Sequence, residues 1–216
     1  MASSRPHVIL SAAISLDGKI ASRTGDSKLS SLVDKRRVHS LRSKVDAILV
    51  GKNTVLQDNP MLTVRHTKGK NPIRIVLDSQ AQIPIGSKII QTSYDVPTII
   101  AVSKKASRKN LARLAKFPVD IIVYGKERVE LKPLLKSLYQ VKIKTILLEG
   151  GGTLNWEFVN QGLVDEVIVT VTPYLVGGKD AKTLLDGNGF SKISRSLKLK
   201  LYKIKRQNNE VILHYI

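Results

Sequence analysis

Residues 145–156 read TILLEGGGTLNW, and this stretch predicts a β-strand, a glycine loop and a helix in direct succession. Thr145–Leu148 is a short apolar run, typical of a strand covered on both faces. The helix is predicted over Leu154–Gln161, with Gly162 in the position that commonly follows a helix end. Three glycines let main-chain amides approach a ligand closely, and the positive end of a helix dipole favours an anion. A tight turn without a ligand is the alternative, but it needs fewer glycines, so we favour an anion site.

The same alternation of short apolar runs and amphipathic segments extends over the chain and predicts an α/β fold. The predicted strands are Val8–Ile14, Ala47–Val50, Ile73–Leu77, Thr98–Val102, Asp120–Tyr124, Thr145–Leu148 and Val167–Thr172. The predicted helices are Leu32–Lys44, Arg108–Lys116, Glu130–Tyr139 and Leu154–Gln161. Ser31 and Asp34 have the spacing of a capping box at the first helix. We expect a mixed, mainly parallel sheet flanked by helices, in a single domain over residues 1–216.

The C-terminal segment has a different pattern. Leu197, Leu199 and Leu201 alternate with lysines, residues 207–209 are typical of a turn, and Val211–Ile216 forms a last apolar run. This pattern predicts an antiparallel hairpin with one face in solvent.

Composition limits the possible functions. The chain of 216 residues has no cysteine, which excludes disulfides, thiolate metal sites and cysteine nucleophiles and suits a reducing compartment. We find no targeting or membrane-spanning segment and expect a cytoplasmic protein. The four histidines lack metal-ligand spacing, so we expect no metal.

The net charge of +19 would attract nucleic acids, dinucleotides and phosphorylated metabolites alike. The basic residues are spread along the chain and aromatic residues make up only 5%, which argues against specific nucleic-acid recognition.

A second candidate site lies in Gly51–Arg65, which begins at the end of a predicted strand, where open α/β sheets bind ligands. Thr54 and Asp58 would share one face of a helical turn and could hydrogen-bond a nucleotide. Arg65 could bind a phosphate with its planar guanidinium. A plain turn at residues 58–60, with Arg65 as a surface charge, remains an equal alternative.

Two further motifs are weaker by themselves. Ser15-Leu16-Asp17-Gly18-Lys19 is first of all a turn, although Asp17 could also bind substrate hydroxyls. Asp78 and Ser79 end a predicted strand and could either cap a loop or contact a cofactor. The chain has no Gly-x-Ser-x-Gly elbow, no P-loop and no dinucleotide fingerprint.

Taken together and in this order, the motifs resemble the reductases of riboflavin biosynthesis that act on 2,5-diamino-6-ribosylamino-4(3H)-pyrimidinone 5′-phosphate. They are also similar to the reductase half of the bifunctional deaminase–reductases. The matching stretches are Ser15–Ala21, Leu41–Val50, Gly51–Arg65, Pro72–Ser79 and Glu149–Trp156. The zinc deaminase signatures, His-x-Glu and Pro-Cys-x-x-Cys, are missing, so we expect a stand-alone reductase that acts before deamination.

The resemblance implies a dihydrofolate-reductase-like fold, a homodimer, and NADPH as cofactor, with NADH possible. The implied cofactor contacts are Leu29, Thr54, Asp58, Ser79, Val123, Gly125, Gly150, Gly151, Gly152, Thr153, Leu154 and Asn155, within a segment that extends to Glu157.

The implied substrate contacts are Ser27, Arg42, Met61, Arg65 and Glu149. The family reduces a ribosylamino group to a ribitylamino group, and Asp17, Glu149 or water would supply the proton. A pterin or dihydrofolate reductase of the same fold is the nearest alternative, and a basic nucleic-acid-binding protein is a more distant one.

Overall fold

A computed structural model describes residues 4–216. Strands β1 to β9 cover His7–Ile14, Ala47–Gly51, Ile73–Leu77, Thr98–Val102, Asp120–Val123, Thr145–Leu148, Glu166–Val171, Leu201–Gln207 and Glu210–Tyr215. Helices α1 to α6 cover Leu32–Arg42, Lys52–Asp58, Lys88–Gln91, Arg108–Leu114, Leu131–Gln140 and Gly152–Asn160. The fold divides into two compact units, residues 4–7 with His39–Leu147 and Val8–Val38 with Leu148–Ile216. That residues 1–216 act as one domain stays a prediction.

The first unit carries the strand order β5-β4-β3-β2-β6. Strand β2 pairs with β3, β3 with β4 and β4 with β5, all in parallel. Every side chain of β4 and all but the last residue of β2 are buried, because helices of a parallel sheet cover both faces. Leu134, Leu135 and Leu138 on one side of α5 are also fully buried, as their spacing predicts.

The second unit carries the order β1-β7-β9-β8. Strand β1 is parallel to β7, whereas β9 is antiparallel to both β7 and β8. The turn between β8 and β9 places Asn208 in the left-handed region, with φ 54°. The mixed, mainly parallel sheet with a C-terminal antiparallel hairpin is therefore confirmed.

One detail of the hairpin prediction is wrong. Strand β8 has no buried residue, so both of its faces are accessible rather than one. Leu201, Tyr202 and Ile204 are exposed, because β8 is the last strand of its sheet and nothing in the described chain packs over it.

The capping box at α1 is only half formed. The Ser31 hydroxyl accepts the amide of Asp34 at 3.1 Å, as predicted. The amide of Ser31, however, donates to the carboxylate of Glu210 on β9 at 2.8 Å. Asp34 does not return the bond because its buried carboxylate binds Arg37 and Thr170.

The other helix predictions hold within a few residues at the ends. Ser107 caps α4, and Gly162 follows α6 with φ 65°. Helix α6 begins at Gly152, two residues earlier than predicted, because a glycine is acceptable in a first turn. The four-residue helix α3 was not predicted. Within residues 4–216, no helix combines the length and apolarity needed to cross a membrane.

Candidate functional site

The glycine segment, residues 150–152, lies in the second unit between β6 and α6. Gly151 is the N-cap of α6, with φ −70° and ψ 167°, and has no side-chain cap hydrogen bond. The helix behind it has nine residues, so its dipole gives this end a partial positive charge. The predicted strand–glycine–helix arrangement is present, with main-chain amides at the helix start.

Packing explains two of the three glycines without any ligand. A Cβ on Gly152 would collide with the carbonyl of Thr183 and the carboxylate of Asp186, and a Cβ on Gly150 would press on the side chain of Leu154. The argument that a turn needs fewer glycines is therefore weaker than the sequence suggested. Gly151 is left as the residue whose lack of a side chain bears most directly on ligand access.

Asp186 is a neighbour of the glycine segment that sequence reasoning missed. Its amide donates to the Gly152 carbonyl at 3.0 Å, and its Oδ1 accepts the amide and hydroxyl of Thr183 at 3.0 and 2.5 Å. A carboxylate thus lies beside the start of α6, where the helix dipole stabilises negative charge. No motif marked Asp186, because the contact joins residues far apart in sequence.

Asn155 in the first turn of α6 is 1% exposed. Its Nδ2 donates to the Leu184 carbonyl at 3.0 Å, whereas its Oδ1 has no hydrogen-bond partner among the described residues. A buried acceptor without a donor is costly, so Asn155 Oδ1 is a polar atom that the described residues leave unsatisfied. Thr153 is exposed and Leu154 is partly buried on the same turn.

Asp17 in the first-strand motif is fully engaged by its own chain. It accepts the Ser15 hydroxyl at 2.6 Å and the amides of Val176 and Gly177 at 3.0 and 2.7 Å. These hydrogen bonds, that of Ser15 first, hold the pKa of Asp17 well below its usual range. Asp17 is ionised near neutral pH and is therefore a poor proton donor.

Residues 172–187 connect the Asp17 motif, residues 15–19, to the glycine segment within the second unit. Leu16 donates its amide to Tyr174, and Ile20 donates to Lys182, at 2.8 and 2.9 Å. The end of the same segment carries Thr183 and Asp186, which cover Gly152. The Asp17 motif and the glycine segment are thus fixed to one stretch of chain.

Ser27 and Leu29 lie on the loop before α1. Ser27 is exposed, and its carbonyl accepts the amide of Leu29, whose side chain is buried. Leu29 borders an open cleft of about 260 Å³. Ser31, Tyr174 and Glu210 also line this cleft, which lies wholly within the second unit.

In the first unit, α2 confirms that Thr54 and Asp58 sit on a helix. Thr54 is partly buried and Asp58 exposed, four residues apart on one side. Asn59 ends the helix in the left-handed region with φ 41°. The carbonyl of Met61 accepts from buried Arg74 at 3.2 Å, so the chain after α2 is held in place.

Val123 ends β5, and Ser79 and Gly125 lie two residues beyond the ends of β3 and β5, at the edge where open α/β sheets bind ligands. The Ser79 hydroxyl accepts the Val129 amide at 3.2 Å and keeps its own proton to donate. Val123 is 49% exposed. Gly125 has φ 85°, and its carbonyl accepts the amide of Lys104 at 3.0 Å.

Arg42 and Arg65 form an arginine cluster with Thr63 and His39 in the first unit. Arg42 Nη1 donates to the Thr63 carbonyl at 3.2 Å, and Arg65 Nη1 donates to the Thr63 hydroxyl at 2.9 Å. Burial, together with the charge of Arg42, lowers the pKa of Arg65. Two guanidinium groups that meet at one threonine make this region suitable for an anion.

His39 is the second site residue that sequence reasoning missed. It is 4% exposed, and its Nδ1 accepts the amide of Arg65 at 2.9 Å. Burial, then the charges of Arg42, Arg65 and His66, lower its pKa to about 4. Its position three residues before Arg42 on α1 is a signal that the sequence did contain.

Glu149 follows β6 directly and is partly buried. The structure thus places the predicted residues in two groups. Asp17, Ser27, Leu29 and Glu149–Asn155 lie in the second unit, and the other predicted residues lie in the first. Among residues 4–216, no group of three or more His, Cys, Asp or Glu side chains could hold a metal ion.

The mixed, mainly parallel sheet with its helices and C-terminal hairpin defines an α/β protein of dihydrofolate-reductase-like type. The chain belongs to the RibD C-terminal domain family, whose model matches residues 6–213. It is 44% identical over 214 residues to the 2,5-diamino-6-ribosylamino-4(3H)-pyrimidinone 5′-phosphate reductase of Methanothermobacter thermautotrophicus, and this match covers 98% of both chains. The Aquifex aeolicus reductase of the same name is 42% identical over 91% of this chain and 90% of its own length.

Solved structures give the same result for the fold. Acinetobacter baumannii RibD, form 2, superposes over 100% of this chain with a TM-score of 0.84 and 28% identity. This chain spans 59% of that longer protein. The Saccharomyces riboflavin biosynthesis reductase Rib7 superposes with a TM-score of 0.73 at 22% identity, which supports the fold alone.

Proposed function

We propose that this protein uses NADPH to reduce the ribosyl side chain of 2,5-diamino-6-ribosylamino-4(3H)-pyrimidinone 5′-phosphate to the ribitylamino form. The protein is an oxidoreductase of riboflavin biosynthesis, and its substrate is a small molecule. One observation carries the assignment: the match at 44% identity to a reductase of this name covers 98% of both chains. Residues 1–216 would act as a single reductase domain, in keeping with one family model over residues 6–213.

We assign the 5′-phosphate of the substrate to the arginine cluster. Arg42 and Arg65 donate to the carbonyl and the hydroxyl of Thr63, so both guanidinium groups are held near one residue before a ligand binds. Arginine guanidinium groups bind phosphate oxygens through charge-assisted hydrogen bonds. Ser27, Met61 and Glu149 would complete the contacts to the remainder of the substrate.

We assign the cofactor phosphates to the amides at the start of α6. The N-cap residue Gly151 supports this assignment, since no side-chain cap hydrogen bond occupies the first amides of the helix. NADPH, when bound, supplies the hydride. Thr54, Asp58 and Ser79 would hydrogen-bond its other polar groups, while Leu29, Val123 and Gly125 would line its remaining contacts.

Glu149 or water is our choice for the source of the proton. The lowered pKa of Asp17 argues against a donor role for that residue. Asp17 would instead hold residues 176–177 of the protein chain, on the substrate side, by accepting the amides of Val176 and Gly177.

We also propose a homodimer, located in the cytoplasm. The exposed Leu201, Tyr202 and Ile204 on edge strand β8 support self-association, because a paired or covered edge would remove them from water. The absence of cysteine suits a reducing compartment. Analytical ultracentrifugation should give twice the chain mass, and Ile204→Lys should shift it towards the monomer.

The decisive experiment mixes the purified protein anaerobically with NADPH and the diaminopyrimidine ribotide. We expect loss of nicotinamide absorbance in proportion to a product that is heavier by two hydrogens. NADH and dihydrofolate serve as the alternative cofactor and substrate. Oxidation of NADPH with dihydrofolate, but not with the ribotide, would transfer the assignment to the pterin-type reductases.

A further inference from the structure

We infer that His39 is a positioning residue for substrate binding, which acts by fixing the main chain at Arg65. This inference rests on the proposed function, because that proposal assigns the 5′-phosphate of the substrate to the arginine cluster. His39 has no contact with a reacting group; its effect reaches the substrate through Arg65.

A hydrogen bond joins the main chain at Arg65 to the buried side chain of His39. The amide of Arg65 donates to Nδ1 of His39 at 2.9 Å, and the imidazole is 4% exposed. The bond is partly shielded, since His39 is buried whereas Arg65 is exposed, so loss of the ring nitrogen would leave the amide without its protein acceptor. The main chain at Arg65 would then move to find another partner.

Helix α1 holds the same chain segment at a second point. Arg42, one helical turn after His39, donates to the carbonyl of Thr63. Val64 lies between Thr63 and Arg65, and its amide donates to Asn71 Oδ1 at 2.8 Å. Three successive residues, Thr63 to Arg65, thus have their main chain bound by side chains. Such a fixed backbone directs the Arg65 guanidinium to the Thr63 hydroxyl.

The imidazole of His39 has the protonation state and the ring orientation that this role requires. Nδ1 can accept the amide only while it carries no proton, and burial, followed by the charges of Arg42 and Arg65, lowers the pKa of His39 and keeps the ring neutral. The His66 ring packs edge-on at 4.6 Å between centroids and fixes the orientation of His39. A histidine that only filled space in the core would need neither a hydrogen bond from the Arg65 amide nor a fixed ring orientation.

The test compares two substitutions. His39→Asn keeps an acceptor close to the position of Nδ1, whereas His39→Leu fills similar space without one. We measure the KM of the ribotide, kcat, the Kd of NADPH and the Kd of ribose 5-phosphate, and check folding by circular dichroism.

For His39→Leu we expect the ribotide KM and the ribose 5-phosphate Kd to rise about 10-fold or more, with the NADPH Kd unchanged within about twofold. His39→Asn should restore both phosphate-dependent values to within about threefold of the original protein. Equal weakening of NADPH and ribose 5-phosphate, or a folded His39→Leu with unchanged phosphate affinity, would overturn the inference.

A double-substitution cycle separates positioning from a general loss of packing. If His39 acts through Arg65, His39→Leu should add little to the loss already caused by Arg65→Ala. Additive losses would contradict the inference. Absence of turnover in the unsubstituted protein would refute the proposed function, while the ribose 5-phosphate titration would still decide the role of His39. Failure of the unsubstituted protein to bind ribose 5-phosphate would overturn the inference too.

Discussion

The arginine cluster of the first unit and the glycine segment of the second both suit an anion, but they present different kinds of positive charge. The arginine cluster offers full charges on long side chains, so its affinity depends on what holds those side chains in position. The glycine segment offers partial charges on rigid main-chain amides, with the carboxylate of Asp186 beside them. Its affinity for an anion depends on keeping side chains out of the space in front of those amides. The two regions should therefore fail in different ways when they are altered.

The largest effect should follow from Gly151→Val. The extended backbone of Gly151, with φ −70°, accepts any residue, so the variant should fold. A branched side chain at the amides should weaken NADPH binding by about 100-fold or more. Titration of NADPH, followed by fluorescence, measures this loss.

Gly152→Ala is the matched contrast to Gly151→Val. Its Cβ would meet Thr183 and Asp186, so it should lower the free energy of unfolding by about 1–3 kcal/mol. Normal NADPH affinity in a folded Gly151→Val variant would remove the glycine segment from the cofactor site.

The next effect concerns the arginine cluster. Arg65→Ala should remove the proposed charge-assisted phosphate contact and raise the ribotide KM about 10- to 100-fold, with little change in the Kd of NADPH. Arg36→Ala, on the exposed side of α1, makes the same change in net charge and should leave both constants nearly unchanged. Equal losses of both affinities in Arg65→Ala would mean that the two regions are not separate sites.

The sequence carries a stronger signal for an anion site at the glycine segment than at the arginine cluster. The contacts in the structure support the arginine cluster more than the glycine segment. Consecutive glycines after a strand form a local pattern, whereas Thr63, Arg42 and His39 meet only in the folded unit. Packing then accounts for Gly150 and Gly152, while hydrogen bonds give Arg42 and Arg65 a defined arrangement. Most strands were predictable because their apolar runs are local and unbroken. The contacts of Asp186 and Glu210 were not, because each joins segments distant in sequence.

A smaller effect should appear in the pH dependence of stability. His39 is neutral in the folded protein, with its pKa lowered to about 4, but the unfolded chain takes up a proton near the ordinary value of 6.5. Stability from neutral His39 is therefore complete above about pH 6.5 and falls between there and pH 4, by about 2–3 kcal/mol. Urea unfolding at several pH values should show this fall in the original protein and a smaller one in His39→Asn. Identical pH profiles for the two proteins would contradict a buried, neutral His39.

The smallest effect tests the negative charge beside the glycine segment. Asp186→Asn keeps an oxygen that can accept from Thr183 but removes a charge near the start of α6. If cofactor phosphates bind at the same helix end, their repulsion by the carboxylate should disappear, and NADPH should bind about 2- to 5-fold more tightly at low salt. Ribotide affinity should not change, since the arginine cluster is held by other residues. The gain should decrease as salt is added, because screening weakens the interaction of exposed charges. A decrease in NADPH affinity would mean instead that the Asp186 carboxylate supports the cofactor site by holding residues 183–186 in place. The positive end of the α6 dipole would then offset the negative charge of Asp186.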